Sequence, residues 1–334
     1  MSNSWRSALA VRSMAIGAIA ASVGFGAYSW AASSEEPSAA SPSTNQPETT
    51  LTAGSFTTAD QGACLTWDTV DGLPSNFQQT DCAMPHRFEV ASREDLGAYP
   101  TSEFDDQAPM PNRTRQAQLR EDLCLSPALA YLGGTLDPLG KYSVASILPP
   151  QEAWDAGDRT MLCGIQATNE SGEPQITEGR AAEQDQARVF AQGDCVAVDN
   201  LSVTRTVDCA EPHQLEITQT VDLEPLFDHV PTIEEQDNAL RLTCLQAARD
   251  YLGGDDPYYY STLQTFWTTV PESSWTGGSH SVNCALVFVN PDATFGTLAG
   301  SARGAFTIND APPAPMPPRD PIVNPEELSG FQGA

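Results

Sequence analysis

The sequence predicts an α+β fold made of two tandem small domains, each an antiparallel sheet with one main helix, stabilised by disulfides. Three observations predict it. One ordered set of residues occurs twice along the chain. Eight cysteines divide evenly between the two copies. Within each copy, apolar residues alternate with polar ones first and then recur at helical spacing.

The duplication is carried by Asp81-Cys82-Ala83-Met84-Pro85-His86-Arg87-Phe88-Glu89, which returns as Asp208-Cys209-Ala210-Glu211-Pro212-His213-Gln214-Leu215-Glu216. Each copy opens on a cysteine, Cys64 or Cys195. A further cysteine, Cys124 or Cys244, lies seven residues ahead of a Tyr-Leu-Gly-Gly run at Tyr131–Gly134 or Tyr251–Gly254. Each copy closes on Pro-x3-Trp-x8-Cys, read as Pro150, Trp154, Cys163 and as Pro271, Trp275, Cys284. This is the signature of a tandem repeat of a unit of about 100 residues.

Phe88 and Val90, and likewise Leu215 and Ile217, alternate with polar residues after the Pro-His pair and predict a half-buried strand. Leu240, Cys244, Ala247, Ala248 and Tyr251 fall on one helical face, with Gly253 and Gly254 as the stop. The first copy has Pro127 where the second has Ala247, which predicts a kinked or restarted helix with Ser126 as cap of its second piece. Met161–Ile165 and Leu286–Val289 read as closing core strands, giving the order strand, strand, helix, strand, strand.

An even cysteine set in two small repeats reads as two disulfides per repeat in an exported chain, because domains of this size bury too little surface to fold comfortably unaided. Four cysteines allow three pairings. The preferred one joins Cys64 to Cys82 and Cys195 to Cys209 across a hairpin, and Cys124 to Cys163 and Cys244 to Cys284 between a helix and the sheet beneath it.

Export is supported by the N-terminus, divided here into a cytoplasmic stretch 1–12 and an uncharged segment 13–34. Arg6 and Arg12 precede that segment, and Glu35 and Glu36 follow it. This is the charge order of a chain whose bulk crosses the membrane. Its apolar length, near the lower bound for spanning, reads as a single-pass anchor, while Ser29-Trp30-Ala31 also suits cleavage after Ala31 and secretion. Residues 35–58, rich in Ser, Thr and Pro, predict a disordered stalk. Repeat 1 is assigned to 60–168, a linker to 169–191, repeat 2 to 192–291 and a Pro-rich tail to 292–334. A net charge of −28 excludes a nucleic-acid partner and a polybasic grip on anionic lipid, leaving the N-terminal segment as the membrane contact.

The Gly-Asp-Cys at 193–195 and the Asp-Cys-x-x-Pro-His-x-x-Glu string that follows it resemble the septum formation domain of actinobacterial envelope proteins. So does the run from Pro150 through Trp154, Gly157, Asp158 and Arg159 to Cys163. The resemblance covers about 60–168 and 192–291. It implies a membrane-anchored extracytoplasmic protein with envelope or division proteins as partners. Two departures stand out: Gly62-Ala63-Cys64 replaces Gly-Asp-Cys in the first copy, and Thr276-Gly277-Gly278-Ser279-His280 replaces the charged turn Asp155–Arg159 in the second.

His86 with Glu89, and His213 with Glu216, form the foremost candidate binding site, since Asp, Cys, His and Glu are all metal-ligand types and Cys-x3-His is a spacing able to chelate zinc. Against a metal stands the oxidised state expected of the cysteines, and residues three apart on a strand converge only if the chain turns after the proline. The reading is therefore a structural imidazole at a strand entry, with no cofactor and no catalytic residue. The alternative is a metal-dependent hydrolase built on Asp81, His86 and Glu89 or their second-copy equivalents. Trp154 and Trp275 are expected to pack on a disulfide, with aromatic contact to a ligand as the other reading. Tyr258-Tyr259-Tyr260, taken as a strand, must leave at least one ring exposed and marks a partner surface. Nucleophile elbow, phosphate loop, redox Cys-x-x-Cys and HExxH motifs are all missing from the sequence, which argues against an enzyme.

Overall fold

The computed structural model describes residues 58–70, 73–199 and 203–318. The expected anchor or signal segment, most of the stalk and the end of the tail lie outside them. Each repeat builds one five-stranded antiparallel sheet, and the two sheets share a topology. In the first, β1 (Cys64–Val70), β2 (Leu73–Thr80), β3 (Phe88–Asp95), β4 (Tyr142–Ile147) and β5 (Thr160–Ala167) take the order β2-β1-β3-β5-β4. In the second, β6 (Cys195–Val198), β7 (Thr204–Val207), β8 (Leu215–Asp222), β9 (Gln264–Trp267) and β10 (Ser281–Val287) take the order β7-β6-β8-β10-β9. Three strands thus precede the main helix rather than two. The edge strands β2 and β7 expose polar residues at Asn76, Gln78, Gln79, Arg205 and Thr206 and lack the apolar alternation that marks β3 and β8.

The main helix of the second repeat is α4 (Ile233–Leu252); Thr232 and Glu235 close its N-terminus as a reciprocal capping box, and Gly253 ends it at φ 87°. Leu240, Cys244, Ala247, Ala248 and Tyr251 are all buried, as the spacing predicts. In the first repeat the helix is divided. α1 (Arg113–Leu119) passes through a wide π-helical turn, Arg120–Cys124, into α2 (Leu125–Tyr131), and a short α3 (Gln151–Asp155) follows β4. Pro127 explains the division, since it cannot donate to the preceding turn and its ring crowds the carbonyl there, which the wider turn relieves. Ser126 is not the cap; it lies inside the first turn of α2, and Cys124 in the cap position makes no side-chain capping bond.

All four disulfides join the preferred partners: Cys64–Cys82, Cys124–Cys163, Cys195–Cys209 and Cys244–Cys284. The first of each pair of bridges ties β1 to the turn after β2, or β6 to the turn after β7. The second fastens the helix to the strand beneath it. On the sheet face under the helix, Cys124, Cys163, Leu119, Met161 and Trp154 pack together, matched by Cys244, Cys284, Leu240 and Val282 in the second repeat. On the opposite face Leu65, Phe88, Val90 and Leu162 meet Trp67, Phe77, Ala145 and Ile147, so all five strands contribute to one cluster.

Two assignments differ from the sequence reading in extent. Residues 174–187, read as linker, and 295–311, read as tail, are laid against repeats 1 and 2 respectively. The second of these contains a small ribbon of β11 (Leu298–Ala299) and β12 (Thr307–Ile308). A short 3-10 turn, Ala181–Glu183, sits in the first. The tyrosines 258–260 are helical, in α5 (Asp255–Ser261), rather than on a strand. Gly254 ahead of them, acidic residues in the first turn and Pro257 near the start set up a helix N-terminus, and this outweighs the β preference of tyrosine.

The repeats meet through a buried carboxylate. Asp137, 2% exposed, accepts from Ser274 Oγ at 2.9 Å and Ser279 Oγ at 2.6 Å. Nearby, Asp185 accepts from the His280 amide and Ser281 Oγ, and the Gln186 amide donates to the Gly278 carbonyl. Gly277 is required here, because a Cβ would lie 2.7 Å from Asp137 Cα. The second copy's Thr276–His280 run is thus the surface that receives the first copy. Asp137→Ala is expected to lower stability by about 1–3 kcal/mol, the cost of stranding two buried hydroxyls. Urea unfolding measures it, and an unchanged midpoint contradicts the role.

Candidate functional site

The site begins with a local turn. Asp81 Oδ1 accepts from the Ala83 amide at 2.9 Å, and Asp208 Oδ1 from Ala210 at 2.8 Å, so each aspartate closes a turn over its own backbone. The proline then directs the histidine inward. His86 and His213 are both fully buried, and Nδ1 of each donates to a carbonyl two residues earlier, Met84 at 2.9 Å and Glu211 at 2.8 Å. The turn after the proline brings the glutamate round, so that His86 and Glu89 converge.

Each glutamate is buried and saturated. Glu89 accepts from Tyr131 Oη at 2.8 Å, from the Ala181 amide at 2.7 Å and from His86 Nε2 at 3.3 Å. Glu216 accepts from Tyr251 Oη at 2.6 Å, Ser301 Oγ at 2.7 Å and the Ala302 amide at 2.7 Å. The tyrosines are those of the two Tyr-Leu-Gly-Gly runs. Both the Ala181 and the Ala302 amides come from the segments read as linker and tail.

Those segments form a strap. The amide and carbonyl of His86 pair with Thr177, and those of His213 pair with Leu298; the Gly179 amide reaches the Cys82 carbonyl, as the Gly300 amide reaches Cys209. Gly179 at φ 78° and Gly300 at φ 88° make the turn that other residues resist. The pattern Gly-Arg-Ala at 179–181 and Gly-Ser-Ala at 300–302 is a further element of the duplication. Its signal is two residues in three, too short to detect in a divergent stretch.

The copies differ at one donor. In repeat 1 His86 Nε2 faces Glu89, whereas in repeat 2 Ser301 takes that place and His213 Nε2 has no hydrogen-bond partner. Burial, the largest influence on His86, lowers its pKa, but the Glu89 hydrogen bond, the Met84 carbonyl and the Glu89 charge together raise it above 6.5, against a small opposing effect of Arg180.

Cys64, His86 and Glu89 lie within 4.8 Å of one another, as do Cys195, His213 and Glu216. Both sulfurs are in disulfides, so neither is a thiolate, and the carboxylate oxygens are already accepting from protein donors. The donor set is a poor fit to zinc.

The other sequence-selected residues lie apart from this site. Trp154 is fully buried on the Cys124–Cys163 side of the core, donates to the Ala108 carbonyl at 2.9 Å and sits under Arg159, whose guanidinium is 4.1 Å from the ring centre. Arg159 itself donates to carbonyls of Phe104, Asp105 and Asp106. The charged turn of the first copy therefore fastens a loop. Trp275 is half-buried beside the Cys244–Cys284 cluster, edge-on to Phe227 and His280. Tyr258 packs into the core, while Tyr260 is 45% exposed.

Fold and site define a class: a duplicated, disulfide-stabilised α+β protein in which a Pro-His-x-x-Glu motif holds the strap that closes each repeat. A family model described as "Septum formation" matches residues 61–284, well over half of the chain, and the chain belongs to that family. It is 34% identical over 268 residues to a protein of Mycobacterium tuberculosis, in strains CDC 1551 / Oshkosh and ATCC 25618 / H37Rv, described in both as an uncharacterized membrane protein. The match takes in 79% of this chain and 59% of that protein, so the chain spans about three-fifths of the relative's length. No solved structure matches. Among the described residues no helix is long and apolar enough to cross a membrane.

Two outcomes are expected. Glu216→Gln replaces an acceptor oxygen by a donor amide facing Tyr251, Ser301 and Ala302, and should lower stability by about 1–3 kcal/mol in denaturant titration. An unchanged midpoint contradicts the assigned geometry. Because the folded pKa of His86 is raised, its pairing stabilises fully below about pH 6.5 and is lost as pH rises through the folded value. The difference in thermal midpoint between wild type and His86→Asn is therefore expected to shrink as pH rises. A difference that grows with pH contradicts it.

Proposed function

We propose that the chain is a non-catalytic binding and scaffolding module of the cell envelope, held at the membrane by its N-terminal segment with the two repeats outside the cytoplasm. Its partners are envelope or division proteins, consistent with the name of the family. One observation carries the reading: the duplicated His-Glu motif, the natural place to look for chemistry, is spent inside each repeat on holding the strap. Its histidines and glutamates are at most 1% exposed, which leaves no path for substrate. Four disulfides with no free cysteine among the described residues support an oxidising compartment.

The mechanism is presentation. Two repeats locked together at Asp137 offer one rigid surface, the stalk sets its distance from the membrane, and tethering raises the effective concentration of that surface for membrane-bound partners.

Cross-linking of the full chain in living cells is expected to yield discrete adducts with envelope or division proteins, and the purified chain to carry metal well below one equivalent. Stoichiometric zinc that disappears in His86→Ala and His213→Ala variants, with folding intact, would replace this reading by the metal-dependent hydrolase.

A further inference from the structure

We propose that the outward face of α5, formed by Tyr259 and Tyr260, is a docking surface for an extended proline-rich segment of a partner protein. The chain's own tail is its resident competitor. The proposal deepens the binding reading above by naming the chemistry of one partner.

The surface is built by the helix itself. Tyr258 turns into the core with Tyr251, Leu263, Leu286, Leu298 and Ile308, and this fixes α5 and leaves the next two rings outside. Tyr259 is half-buried and Tyr260 is exposed, with ring centres 5.1 Å apart and planes at 73°. An edge-to-face aromatic pair of this kind is rigid and carries a phenol donor, a combination suited to an apolar peptide that also offers carbonyls.

A peptide of that kind is already seated there. Beyond Ala311 the chain runs Pro312-Pro313-Ala314-Pro315-Met316-Pro317-Pro318. Such a sequence favours the polyproline II helix, which has no internal hydrogen bonds and so presents its carbonyls outward. Tyr259 Oη donates to the Pro317 carbonyl at 3.2 Å. A hydroxyl on an aromatic surface donated to a peptide carbonyl is one element of the physics by which proline-rich segments are recognised, at little ordering cost.

The seating is shallow. All of 312–318 is exposed except Pro313, which is half-exposed. The tail is delivered from the β11–β12 ribbon, which shares the core cluster of Tyr258, so its effective concentration at the tyrosines is high although its grip is weak. A proline-rich segment from another protein, taking the same hydrogen bond, displaces it.

The test uses the full chain and a fluorescent peptide with the sequence of residues 311–318, followed by anisotropy. Three chains are compared: wild type, a variant with Pro315→Gly, Pro317→Gly and Pro318→Gly that weakens the internal competitor, and that variant with Tyr259→Phe added. The weakened tail is expected to raise peptide affinity by about fivefold or more. Tyr259→Phe should then lower it by roughly two- to tenfold, the loss of one hydrogen bond. A peptide with its prolines replaced by alanine should bind more weakly throughout. Equal affinity in all three chains, or no saturable binding to the weakened-tail variant, overturns the proposal. Circular dichroism and the thermal midpoint show that each variant is folded. Failure here leaves the cross-linking of the scaffold reading untouched, and absence of cross-links leaves the peptide result standing.

Discussion

A buried carboxylate that must be surrounded by donors governs the architecture of each repeat. Glu89 takes donors from the end of a helix, from the turn before β3 and from the strap; Glu216 takes them from a helix end and from two strap residues. A charged group removed from water is costly unless it is hydrogen-bonded, and hydrogen bonds to a charged group contribute about 1.5–3 kcal/mol each. Helix, sheet and strap are therefore favourable together and unfavourable singly. The disulfides act on the same set from the other side, by limiting the unfolded chain and by holding the helix over β5 or β10.

The copies have diverged where they have different neighbours. In the first, Asp155–Arg159 forms a charged turn whose arginine stacks on Trp154 and gathers the carbonyls of 104–106. In the second, the same turn faces Asp137 of the first repeat, and a carboxylate at the Ser279 position, where the first copy has Asp158, would repel it. Glycines 277 and 278 and Ser279 allow close approach and supply a hydroxyl in its place. The loss of the charged turn is thus a consequence of contact between repeats. A similar exchange separates His86 from Ser301 as the third donor to the glutamate, and leaves His213 Nε2 without a partner.

Much of this was legible in the sequence because it is carried by residues whose chemistry leaves few choices. Cysteines spaced for a hairpin and for a helix over a sheet gave the four disulfides, and Leu240 to Tyr251 gave the face of α4. Pro127 gave the broken helix, though not the wide turn that absorbs it. The edge strands escaped notice because 75–80 and 204–207 are largely polar, with Phe77 as the apolar contact of the first to the core, and carry no apolar period. Tyr258–Tyr260 misled because aromatic side chains favour strands, while Gly254, two aspartates and Pro257 together decide for a helix. The strap was hidden for a different reason. It contributes backbone amides to both glutamates, joined in the second copy by the Ser301 hydroxyl, and backbone leaves no mark in the sequence beyond Gly179 and Gly300, which the turn demands. Without it the His-Glu pair looks like a site awaiting a ligand, when its ligand is the chain itself.

Amide hydrogen exchange at Ala181 and Ala302 tests this most directly. Both amides point at a buried carboxylate, Glu89 or Glu216, so they are predicted to exchange as slowly as the central strands β3 and β8, and to speed up in Glu89→Gln and Glu216→Gln variants respectively. Exchange at the rate of open loops in the wild-type chain, with β3 and β8 still protected, would contradict the account.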